Sequence, residues 1–166
     1  MPLLVDGPDA SLLVTGHIAN VNPFARLVAS GAEVTAAFHG PDAYVSATIY
    51  EGPVEQVPTW NYVALELEGR VRRMDQDGLR ALLDGLSARH EERIADGAPW
   101  TMDKMPESQL RQMMGAIVGF EMEVLAWRPT FKLSQNKPAD ERTRVAAGLE
   151  AEGSPAIAEL MRKLVP

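Results

Sequence analysis

A chain of 166 residues with 46 % apolar and 23 % charged side chains has the size and composition of a globular domain with a sizeable core. It has no cysteine, which excludes disulfides, thiolate metal sites and thiol nucleophiles; no apolar run nears the roughly 18 residues of a membrane helix or resembles an export signal, so the cytoplasm is the expected compartment. Two basic and eight acidic side chains put −6 of the net −7 on residues 1–70, and without a basic face to neutralise phosphates direct DNA binding is not expected.

In chain order, residues 12–18, 33–39, 43–50 and 61–71 are short runs rich in β-branched or aromatic residues, separated by Gly, Pro and Asn. The spacing predicts a short helix over 23–28 and a tight turn over 39–42. Residues 61–71 alternate, with Val63, Leu65, Leu67 and Gly69 opposed to Ala64, Glu66, Glu68 and Arg70; residues 120–126 oppose Phe120, Met122 and Val124 to Glu121 and Glu123. Both patterns predict half-wet antiparallel strands. Helices are predicted over roughly 75–97, capped by Asp75 and stopped by Gly97, over 108–114, and within 138–164, where Ser154-Pro155 marks a fresh start. No ten-residue helical stretch divides the early strands, so the reading is a mainly β fold with helices, a barrel or sandwich, in a single domain over 1–166.

Three groups of polar residues interrupt these runs. His17, Asn20 and Asn22 follow a strand and precede a helix start, which suits an anion or a capped turn with a bonded histidine. Tyr44 and Ser46, two apart, are expected to share a strand face, and Trp60 and Asn61 lead into the best strand; each serves either a ligand or the wall and core. Lys132 and Ser134 belong to K-L-S-Q-N-K, an anion pocket or a capping loop, in which Lys137 reads as solvated. Tyr50 reads as a wall residue. His17, His39 and His90 are scattered, so no metal site is expected, and no catalytic acid–base pair or activated nucleophile is visible.

The segments H-I-A-N-V-N-P at 17–23, F-H-G-P-D-A-Y-V-S at 38–46, V-P-T-W-N-Y at 57–62, G-F-E-M-E at 119–123 and K-L-S-Q-N-K at 132–137 resemble the PaiB family of FMN-binding negative transcriptional regulators. The resemblance implies an antiparallel split β-barrel of the FMN-binding type with C-terminal helices, and a homodimer that shares FMN at its interface. It places the flavin phosphate near residues 17–22 and makes His17, Asn20, Asn22, Tyr44, Ser46, Trp60, Asn61, Lys132 and Ser134 the candidate cofactor residues. Trp60, Tyr62 and Met122 are the expected interface contacts. Pro2-Leu3-Leu4-Val5 resembles the end of a family strand normally preceded by further elements, so the expectation includes an incomplete barrel with weak or absent FMN binding. Two alternatives accompany this reading: a flavin- or haem-binding oxidoreductase-like split barrel, with His17 or His39 as the imidazole ligand, and a cofactor-free structural dimer.

Overall fold

The computed structural model describes residues 3–6, 12–50, 56–94 and 97–164. Five strands, β1 (Leu3–Asp6), β2 (Leu12–Ala19), β3 (Glu33–Val45), β4 (Thr59–Arg73) and β5 (Ile117–Lys132), form one antiparallel sheet in the order β1-β2-β5-β4-β3. Among the described residues five helices accompany them: α1 (Phe24–Ser30), α2 (Gln76–Glu91), α3 (Glu107–Met114), α4 (Ala139–Ala151) and α5 (Pro155–Leu164). The predicted mixture of antiparallel strands and later helices is therefore observed. Among the described residues no helix is long and apolar enough to cross a membrane.

The chain divides into two compact units, Met1–Thr35 with Glu68–Ala126 and Ala36–Leu67 with Trp127–Pro166. In the first unit β2 pairs with β5 in the register Leu13↔Glu123 to Ala19↔Ile117. Leu79 and, further along α2, Leu82 and Leu86 are buried at helical spacing, and Leu79 joins Met102, Leu110 and Met114 in one cluster. Asp75 caps α2 as expected, its Oδ1 accepting the Gly78 N–H at 2.7 Å. The helix ends at Glu91, short of Gly97, so Ile94 is exposed rather than part of the apolar stripe. Met122 is 1 % exposed: its alternation places it in the core, which removes it from the expected interface contacts.

The second unit has its own core. Val45, Leu133, Val145, Leu149, Ile157 and Met161 pack together, with the stripes of α4 and α5 facing one another as their spacing implies. The region 138–164 is two helices, and Ser154-Pro155 marks the second start. The turn expected over 39–42 is absent: β3 runs unbroken through Gly40-Pro41. Pro41 is tolerated because β3 is an edge strand, and Gly40 leaves room for Val63, which lies 3.2 Å from where a Cβ would stand.

Candidate functional site

The nine candidate residues separate into three in the first unit and six in the second. In the first, Asn20 Nδ2 donates to the Gly115 carbonyl at 2.5 Å and Asn22 Oδ1 accepts the Phe24 N–H at 2.9 Å. Both side chains thus close the turn between β2 and α1. That helix has only seven residues, and Asn22 already takes up its first N–H, so its amides form only a weak dipole end. His17 is half-buried on β2; its Nδ1 is buried without a hydrogen-bond partner, and burial chiefly holds the imidazole pKa below its usual 6.5.

In the second unit the strand period divides neighbours. Asn61 is fully buried, whereas Trp60, one residue earlier on β4, is 52 % exposed, so the two side chains leave opposite faces of the strand. Trp60 meets Tyr44 of β3 edge-on, with ring centroids 5.8 Å apart, and Tyr44 is 47 % exposed. Ser46 does not share the Tyr44 face: β3 stops at Val45, and Ser46 caps a short 3-10 turn over Ala47–Ile49 by accepting the Thr48 N–H at 3.2 Å.

The buried face of β4 meets the loop after β5. Asn61 Nδ2 donates to Ser134 Oγ at 2.9 Å and to Met161 Sδ at 3.3 Å. Ser134 has φ +57, the sole non-glycine positive value among the described residues, and its carbonyl accepts the Lys137 N–H at 2.9 Å. The resulting turn is braced by Gln135, whose Oε1 accepts the Leu133 N–H at 2.7 Å. It sends Lys132 Nζ to Thr59 Oγ1, 2.7 Å away, and Lys137 Nζ to Gln56 Oε1 and over the Tyr50 ring, 4.8 Å from its centroid. Between these groups lies a cavity of about 230 Å³, lined in part by Asn61, Lys132, Ser134 and Lys137.

Of the candidates, the fold therefore gathers Asn61, Lys132 and Ser134 around one cavity and sets Tyr44 with Trp60 as an exposed aromatic pair. Lys137, read as solvated, is only 23 % exposed at its side chain. Thr59, Gln56 and Tyr50 line the same cavity and are not among the nine candidates, although Thr59 stands inside V-P-T-W-N-Y; for Lys137 the sequence signal is the K-x-x-x-x-K spacing around a tight turn. A larger cavity of about 340 Å³ in the first unit includes Glu33 and Glu68 but none of the nine candidates.

Comparison with known proteins places the chain in a family. Residues 1–126 match the family described as "Putative FMN-binding domain". The chain is 32 % identical over 164 residues to the protease synthase and sporulation protein PAI 2 of Bacillus subtilis (strain 168), covering 97 % of this chain and 77 % of that protein. It is 27 % identical over 200 residues to an uncharacterized protein of Emericella nidulans, covering 98 % and 80 %. The FAD and heme binding protein from Mycobacterium smegmatis superposes with a TM-score of 0.51 at 21 % identity, over 87 % of this chain and 63 % of that one, less than two thirds of its length. At that identity the likeness concerns the fold alone, an antiparallel split β-barrel with helices. The family match over residues 1–126 and the extent of the Bacillus relationship together show that the chain belongs to the PaiB-type family of FMN-binding-domain proteins.

Proposed function

We propose that this chain is a flavin-binding PaiB-type protein, working as a cytoplasmic homodimer and negative regulator without gripping DNA itself. The observation that carries the flavin reading is the exposed Tyr44–Trp60 pair. Large aromatic rings left half in water suit a flat, partly apolar ligand or a partner surface, and an isoalloxazine shared at an interface combines both. Tyr44 and Trp60 cover the ring in this reading, and the lysine-bearing loop at 132–137 lies in the same compact unit. FMN, when bound, supplies reversible acceptance of electrons. The regulatory part of the reading draws on the name of the Bacillus subtilis relative. Acidity concentrated on residues 1–70 argues for regulation through a partner rather than through phosphate contacts on DNA.

FMN titrated into the purified chain, followed by flavin and tryptophan fluorescence, tests the reading. A saturable complex is expected, with Trp60→Ala weakening it by about tenfold. Absence of a complex at high micromolar FMN would overturn the flavin reading, and an unchanged affinity in Trp60→Ala would remove the ring from this aromatic pair.

A further inference from the structure

We propose that the cavity of the second unit is a site for a terminal phosphate group, held between Lys132 and Lys137. Its charge is the first argument. In a chain of net charge −7, the described residues lining this cavity include two lysines and, among those described, no carboxylate. The acid that Lys137 does approach, Glu141, stands 4.0 Å from Nζ.

Each lysine is held by its own anchor, Lys132 by the Thr59 hydroxyl at 2.7 Å and Lys137 by the Gln56 amide oxygen at 2.5 Å and the Tyr50 ring. An ammonium has three N–H donors, so donors remain on both after these contacts. Partial burial of Lys137 removes competing water and strengthens its pull on an anion. Asn136 adds a polar group to the same wall, while the Ser134 hydroxyl is already spent on Asn61 and shapes the wall through its left-handed backbone.

Size decides what enters. About 230 Å³ holds several waters or a phosphate with a short appendage, and falls below the roughly 300–1,000 Å³ of pockets that enclose drug-sized ligands. The phosphate has two sources, a free phosphate or small phosphomonoester, or the phosphate end of FMN whose ring lies elsewhere. The second source rests on the flavin reading, and the first stands without it.

Calorimetric titration of the full chain with inorganic phosphate, FMN and riboflavin at fixed ionic strength tests the site. The expected result is phosphate binding that weakens at least about tenfold in Lys132→Met and in Lys137→Met and is largely kept in Lys137→Arg. Comparing wild-type affinities for the three probes needs no variant to fold. FMN preferred over riboflavin and displaced by phosphate supports the site and assigns it to the flavin. Phosphate bound with neither flavin supports the site and overturns the flavin reading. Equal affinity for FMN and riboflavin with no response to phosphate overturns the site and leaves the flavin reading standing, whereas binding of none of the three overturns both.

Discussion

Asn61 and Ser134 hold each other through both ends of the asparagine amide: Asn61 Nδ2 donates to Ser134 Oγ at 2.9 Å, and Ser134 Oγ donates to Asn61 Oδ1 at 3.2 Å. Both residues are buried, and the second Asn61 N–H reaches Met161 of α5. One amide thereby ties β4, the loop after β5 and the last helix together and forms part of the cavity lining. Buried polar groups so arranged are costly to disturb singly.

Asn61→Ala is expected to destabilise the protein by about 1–2 kcal/mol, because the Ser134 hydroxyl loses its partner. Ser134→Ala also breaks the clasp and keeps the left-handed backbone, whereas Ser134→Gly relieves it. Denaturant melts should therefore find the glycine variant about 1 kcal/mol more stable than the alanine one. Equal stabilities would show that φ +57 at Ser134 costs nothing.

Gly69→Ala should be the most damaging single methyl in the first unit. A Cβ there would overlap the Glu123 carbonyl oxygen and lie 2.9 Å from its carbonyl carbon, so β4 and β5 must separate to admit it. Neither atom belongs to a flexible side chain that can move aside. A loss of about 3 kcal/mol or more is expected, measured as the urea midpoint; Gly85→Ala, where a Cβ meets nothing within 4 Å, is the control. A Gly69→Ala melt matching that of Gly85→Ala would refute the close approach.

How legible all this was in the sequence depended on how local the cause is. The Asp75 cap and the Ser154-Pro155 start act within one helical turn, and both stand where the residues placed them. Alternation in 61–71 likewise placed Leu67 and Gly69 on the buried face. Gly40-Pro41 misled because its usual meaning is a break; here an edge position and the approach of Val63 decide otherwise. The burial of Lys137 depends on Gln56, 81 residues away, and that of Asn61 on partners 73 and 100 residues away. For Lys137 no local pattern carries such information, whereas the alternation of 61–71 already sets Asn61 on the face of Leu67. Trp60 and Asn61 are adjacent in a single motif, yet the pleat of β4 directs them to opposite faces.

Acidification should report on His17. Burial lowers its pKa in the folded protein below the usual 6.5, so on acidification the unfolded chain takes up this proton first. Its contribution to stability is complete above about pH 6.5 and is lost as pH falls from there through the lowered folded-state value, after which the loss levels off. The fall in Tm between neutral pH and pH 5 should be smaller in His17→Asn than in the wild type. Identical pH dependence in the two proteins would mean that His17 titrates alike in both states.

The exposed apolar residues of the second unit point to self-association. Trp60 is 52 % exposed, Tyr44 47 %, Trp127 69 % and Phe131 46 %; Trp127 and Phe131, four apart on β5, lie on one face of that strand. Tyr62 is half-buried, and Met122 contributes nothing. The interface is therefore expected to rest on Trp60 and Trp127, since aromatic anchors carry most of the binding energy at such contacts. A stable dimer needs roughly 1,200–2,000 Å² of total buried surface, which two such aromatic patches can nucleate. Light scattering at micromolar concentration should return twice the chain mass. Trp127→Asp, which sets a charge where a partner's apolar surface would pack, should shift the mass toward one chain while leaving circular dichroism unchanged. A wild-type monomer under these conditions would sink the dimer, and a Trp127→Asp protein still fully dimeric would move the interface to another face.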